Sequence, residues 1–415
     1  MTLPDFQSLE LYQQQRLPHE LLLDIFSYIE DKSDNLNLCK TSKVFRSLVE
    51  SRIYKTIRLD FNDKKGKNMH SSLQLLEMIQ NPRLWNVIKV VQVTSGSCHQ
   101  RSKFASDQTK KCICGVIDQK LGTALQSMQT LEVLSIRCDF CLNLSTGRHR
   151  YLKKLATRRM RHFNFECRCS MGNGFDLPTL FTAPWVQSLN GLSWLTNLWI
   201  TIPSEQLETL LKNPSFLPQL NTLHYTGSGM LDKLLTGRKI TRLSGAVDPS
   251  TWKESHPNKN SITHLSVCTY IRILNSPGGI KQFRNLQHFG KLSFTYTERR
   301  SQIKMASFPL SAVTGQTYLI RRQLDIVNRI FDSIADLKCL SSIDGTTELI
   351  PVEDDPWNQV LFARLESTHP KLRKIFLNDQ FRYGCIRKDG PQLWTKHQLP
   401  YYTSWDIITG IFDHI

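Results

Sequence analysis

Residues able to bind metal or anions crowd into one stretch of this 415-residue chain. Cys98-His99, Cys112-x-Cys114, Cys138-x-x-Cys141 and Cys167-x-Cys169 are of the types that hold zinc or, as thiolates, attack electrophiles. Structural zinc takes Cys and His in tetrahedral sets, often in pairs with about two to four residues between them. Only Cys138 and Cys141 meet that spacing cleanly. Cys138 ends Ser-Ile-Arg-Cys and Cys167 ends Phe-Asn-Phe-Glu-Cys, both strand-like, and cysteine there commonly packs as a small apolar group. Packing is therefore the preferred reading. Cys138, Cys141, Cys167 and Cys169 stand as the metal candidates against it, and no cofactor is expected. No cysteine has a histidine that the sequence assigns as its base, which argues against a thiol nucleophile.

The second candidate is basic. Arg148, Arg150, Lys153, Lys154, Arg158, Arg159, Arg161 and Arg168 face Glu166 alone, with His149 and His162 close by. Such a run can neutralise phosphates, or grip an acidic or phosphorylated peptide through guanidinium forks. Tyr151, Leu152, Leu155 and Met160 also give it the look of an amphipathic helix, whose charged side is simply solvated. Gly172-x-Gly174 and Gly227-x-Gly229 lack the third glycine or the lysine of a phosphate loop. With no triad or paired carboxylates above background, the chain is not expected to be an enzyme.

Composition sets the class. The chain is 40% hydrophobic and 21% charged, ordinary for a folded protein with a large core. Its longest apolar runs are a few residues, as in Leu21-Leu22-Leu23, so no membrane span is expected. Met1-Thr2-Leu3-Pro4 has no secretory pattern, and eleven cysteines are an odd count, so thiols in a cytoplasmic or nuclear setting are expected. The net charge of +17 lies downstream of residue 60, because the first 60 residues carry eight Lys/Arg against nine Asp/Glu.

Three short amphipathic helices at the front organise the rest. Pro18 suits a first helical position and Glu20 the positive helix end. Leu21, Leu22, Ile25, Phe26 and Ile29 then recur at helical spacing, up to a polar break at Lys32-Ser33-Asp34. Leu36, Leu38 and Cys39 predict a further turn or two. Ser42 caps a third helix with Phe45, Leu48, Val49 and Ile53 inward and Lys43, Arg46, Glu50 and Arg52 outside. Leu17-Pro18-x-Glu20-Leu21-Leu22-x-x-Ile25-Phe26-Ser27-Tyr28, followed by Leu36, Cys39, Ser42-Lys43-x-Phe45-Arg46 and Tyr54, resembles the F-box. Many members carry Trp where this chain has Phe45 or Tyr54. The resemblance implies docking onto a Skp-family adaptor, and through it onto a cullin–RING ubiquitin ligase. Carried over by motif position, the docking residues would be Leu17, Pro18, Glu20, Leu21, Ile25, Phe26, Leu36, Cys39 and Phe45.

Downstream, Ser71 to Gln80 predicts a helix stopped by Asn81-Pro82, and Val87 to Val93 a strand. A Leu-x-x-Leu-x-Ile pattern then repeats at Leu131, Leu195, Leu220, Ile240, Ile262, Leu286 and Leu372. Leu198, Leu223, Leu243 and Leu265 follow one another at steps of 25, 20 and 22 residues, within the ~20–29 of leucine-rich repeats. The stretch resembles the irregular leucine-rich repeats that follow F-boxes in many fungal-type proteins. Stacked repeats would build one continuous core in a curved solenoid. Val313 to Ile334 predicts a helix inserted into it. Tyr383, Trp394, Tyr401, Tyr402 and Trp405 mark an aromatic C-terminal segment fit to cap the solenoid end.

The expected architecture is α/β. An F-box spans 15–58, a leucine-rich-repeat-like solenoid 59–380 and a cap 381–415. The expected function is substrate recognition for an SCF-type ubiquitin ligase, with an unknown protein substrate held by the repeats. The alternative is a non-catalytic basic scaffold for nucleic acid or an acidic partner.

Overall fold

The structure, a computed structural model, describes residues 18–29, 32–61, 67–95, 113–138, 159–167, 189–200, 209–225, 237–245, 257–267, 279–293, 332, 334–346, 364–378, 383–387, 394–398 and 408–409. The chain forms two compact units, Met1–Met160 and Arg161–Ile415.

The first unit opens with α1 (His19–Ser27), α2 (Lys32–Thr41) and α3 (Lys43–Tyr54). Pro18 lies just before α1 rather than inside it, and its carbonyl accepts from Leu22 N at 3.1 Å. Lys32-Ser33-Asp34 is not a break but the first turn of α2. Asp34 suits that place because the helix start is electropositive. Ser42 caps α3 as expected, its hydroxyl accepting from Val44 N at 3.2 Å. β1 (Thr56–Asp60), α4 (Lys67–Met78), β2 (Val90–Ser95), α5 (Ile113–Ser127) and β3 (Val133–Cys138) follow, and the strands pair in parallel in that order.

α3 runs into this sheet without a linker. Lys55 caps α3, and its carbonyl accepts from both Lys89 N and Val90 N at 2.9 Å. The Lys89 carbonyl in turn accepts from Glu132 N and Val133 N. Ser72 of α4 fastens the helix to β1, exchanging 2.9 Å hydrogen bonds with both the N–H and the carbonyl of Asp60.

The second unit repeats that bifurcated rung. β4 (His162–Cys167), β5 (Asn197–Ile200), β6 (Thr222–Tyr225), β7 (Arg242–Gly245), β8 (His264–Val267), β9 (His288–Ser293), β10 (Ser342–Thr346) and β11 (Lys374–Asn378) pair in parallel in sequence order. The carbonyls of Arg161, Thr196, Asn221, Thr241, Thr263, Gln287 and Ser341 each accept two N–H groups from the start of the next strand. β12 (Tyr383–Arg387) and β13 (Trp394–Gln398) then extend the sheet in antiparallel fashion.

Register follows from the apolar pattern. Phe163, Leu198, Leu223, Leu243, Leu265, Phe289, Ile343 and Ile375 are direct neighbours from strand to strand, and all are buried. A slip of one residue would turn each of them to the opposite face. The residue three places earlier (Met160, Leu195, Leu220, Ile240, Ile262, Leu286, Leu340 and Leu372) is buried beneath the turn into each strand. Met160 therefore leads a strand, whereas the sequence placed it on a return helix. The register against β10 shifts beyond Phe289, an irregularity of the β-bulge type. Gly290 sits there because a Cβ would lie 2.9 Å from His288 Nε2.

The expected helix over Val313 to Ile334 falls almost wholly outside the described residues. No described helix is long and apolar enough to cross a membrane.

Candidate adaptor-binding surface

The surface is set by how α1 divides its apolar residues. Leu22, Phe26 and Ile29 turn inward, where Phe26, only 4% exposed, meets Phe45 of α3 edge-on with ring centroids 5.2 Å apart. Val49 closes the same small core. Leu21, Ile25 and Tyr28 form a second stripe at the same helical spacing, 49%, 50% and 85% exposed. The sequence grouped Leu21, Leu22, Ile25, Phe26 and Ile29 as one face. At about 100° per residue they make two adjoining stripes, of which the three-helix core covers one.

Polar contacts hold the bundle in the shape that presents the second stripe. Arg52 of α3 donates from Nη1 to the Phe26 carbonyl, tying the end of α1 to α3. Asn35 Nδ2 donates to the Ile29 carbonyl at 3.0 Å, fixing the α1–α2 corner. Arg46 Nε reaches the Cys39 carbonyl at 3.3 Å across the α2–α3 turn. Glu50 pairs with Arg83, anchoring α3 to the turn before β2.

Of the other motif residues, Pro18 and Glu20 are exposed, Leu36 of α2 is 44% exposed, and Cys39 and Phe45 are half-buried. Leu17 lies outside the described residues. Leu23, Tyr28 and Val44 also stand exposed, although the motif reading did not select them. Burial raises the Cys39 thiol above its ordinary value of 9.0, with Arg46 lowering it and Glu50 raising it. The thiol is thus neutral near pH 7, a packing group rather than a nucleophile. Patches of clustered exposed leucine, isoleucine and tyrosine on a small bundle mark contact sites.

Residues 14–60 match the F-box-like family. No curated protein matches the chain. The matched segment takes in α1, α2, α3 and β1, so the F-box-like domain includes the first strand of the sheet.

The other candidates are placed as follows. Arg159 and Arg161 are exposed at the entry to β4; Arg148, Arg150, Lys153, Lys154 and Arg158 lie outside the described residues. Cys138 and Cys167 end β3 and β4, as the strand reading expected, while Cys141 and Cys169 lie outside. Among the described residues no group of three His, Cys, Asp or Glu side chains is placed to hold a metal.

Proposed function

We propose that this chain is the substrate-recognition subunit of an SCF-type cullin–RING ubiquitin ligase. The exposed stripe Leu21, Ile25 and Tyr28 on an F-box-like domain carries the reading. An apolar stripe of this kind buries favourably against a Skp-family adaptor at about 25 cal/mol per Å², and Leu36 and Val44 extend the contact. The in-register apolar strands of the second unit read as irregular leucine-rich repeats, which would hold a protein substrate. The subunit itself breaks no bonds and needs no cofactor. It acts by keeping a target near a ubiquitin-loaded conjugating enzyme, which turns a bimolecular encounter into a local one.

The test is co-expression with a Skp-family adaptor and purification through a tag on this chain. Wild type should retain the adaptor. Leu21→Asp/Ile25→Asp should lose it while melting within about 4 °C of wild type, since each residue is about half exposed already. Trp194→Ser, at another exposed apolar residue, should retain it. A folded wild type that never captures adaptor, or a double variant that still does, overturns the proposal.

A further inference from the structure

Along each strand of the second unit, alternate residues leave the apolar core and point to the other sheet face. That face is polar: Thr222, His224, Ser244, His264, His288 and Ser342 occupy it on β6 to β10. It is wired across strands. His224 Nδ1 meets Ser244 Oγ at 3.0 Å and His288 Nδ1 meets Ser342 Oγ at 2.9 Å. Trp199 stacks on His224 at 4.1 Å between ring centroids, and His264 on His288 at 5.7 Å. On a bare sheet these imidazoles would meet water, yet His224 is 3% and His288 1% exposed.

Something covers the face, and the far end of the chain supplies an atom of it. Arg242 of β7 donates from Nη1 to the carbonyl of Ile408, 166 residues later, at 2.9 Å. Ile408 is itself completely buried. We propose that the C-terminal segment bearing Ile408 and Thr409 is an internal occupant of this polar face. The side chain of Ile408 is shut off from water, and Arg242 takes its main-chain carbonyl. A protein partner that uses the same face must first displace the segment. A tethered segment competes at an effective concentration on the order of millimolar, so weak partners are excluded and strong ones admitted.

This inference stands on the second unit alone and does not require the ligase reading. Diethyl pyrocarbonate labelling of the histidines, mapped by peptide mass spectrometry, tests it on the full chain and on a chain lacking residues 399–415. His224 and His288 should label slowly in the full chain and at least about tenfold faster in the truncated one. A synthetic 399–415 peptide in excess should restore slow labelling. Unchanged labelling in a truncated chain that keeps the full chain's circular dichroism overturns the proposal, as does a peptide that gives no protection.

If truncation unfolds the unit, Arg242→Leu in the full chain decides. Labelling of the same histidines several-fold faster, with the melt preserved, supports the proposal; unchanged labelling overturns it. Adaptor capture, measured on the same proteins, should be unaffected throughout, which separates failure here from failure of the ligase reading.

Discussion

Arg238→Leu is expected to destabilise the second unit more than almost any other single change. The Arg238 side chain is buried and spans a turn between β5 and β6. Nε and Nη2 donate to the Leu211 carbonyl at 3.1 and 2.9 Å, Nη2 also to Asn213 at 2.5 Å, and Nη1 to Phe216 and Leu217 at 2.6 and 3.2 Å. Leu217 holds a φ of 52°, in the left-handed region that costs a residue with a side chain about 1 kcal/mol or more. The guanidinium secures the carbonyls on both sides of that residue, Phe216 before it and its own after it. Burial lowers the Arg238 pKa below its ordinary value, but a guanidinium does not lose its proton in proteins and keeps its charge.

A charged hydrogen bond contributes about 1.5–3 kcal/mol net. Five bonds that share one group do not add, and the dominant loss is several carbonyls stripped of their donor together. About 3–5 kcal/mol is expected, read as a shift of the urea midpoint followed by circular dichroism. Hydrogen exchange should localise the loss to residues 211–217. Arg238→Lys keeps the charge but cannot fork, and should recover less than half. A shift worth under about 1 kcal/mol for the leucine variant would refute the reasoning, because water would then serve the carbonyls as well as the guanidinium does.

Three further outcomes are expected. Gly245→Ala should cost at least about 2 kcal/mol in the same urea assay, because Gly245 has φ 119° and a Cβ would sit 1.9 Å from the Tyr225 carbonyl oxygen; a neutral substitution would mean that β7 can re-form. Phe26→Ala should lose adaptor capture by loosening the bundle, with about 3 kcal/mol of stability gone. Leu21→Asp/Ile25→Asp, by contrast, loses capture with the melt intact, and equal melts for the two variants would refute the division of α1 into buried and exposed stripes. His369 donates from Nε2 to the Ile334 carbonyl at 2.8 Å, and burial, opposed by that bond and joined by Lys338, lowers its pKa from 6.5. Above pH 6.5 it is neutral folded or unfolded. Below it the unfolded chain binds the proton first, so stability should fall from there down to the folded pKa. A stability difference between wild type and His369→Gln that stays constant from pH 7.5 to 5.5 would refute this.

The strand pattern was legible over most of the chain: Val87 to Val93 foretold β2, and the strand-like Phe-Asn-Phe-Glu-Cys foretold β4. Two strands, β1 and β10, escaped the leucine pattern, and their apolar positions are Tyr54-x-x-Ile57-x-Leu59 and Leu340-x-x-Ile343. What the fold selects is burial at fixed places on a strand, and methionine, phenylalanine or valine satisfies it as well as leucine. Written by class rather than by letter, the pattern finds β1 and β10 as well, and the long gap between Phe294 and Ile375 acquires its missing strand. In α1, too, the residues were legible and their division was not, because five apolar positions over nine residues are more than a three-helix core covers.

The polar sheet face was unreadable for a different reason. His224, Ser244, His264 and His288 alternate with leucines just as solvent-facing residues would. On the proposal above, their cover is the segment around Ile408, whose carbonyl Arg242 meets 166 residues away, a contact that no local spacing encodes. Yet the residues on that face differ from an ordinary solvated one: uncharged hydrogen-bonding side chains predominate where lysine and glutamate would be expected. Imidazoles and hydroxyls can satisfy one another when water leaves, whereas ammonium and carboxylate groups desolvate at several kcal/mol each. A sheet face rich in His, Ser and Thr is thus already suited to being covered. In this chain that composition was the local trace of an occupant that arrives from the other end of the sequence.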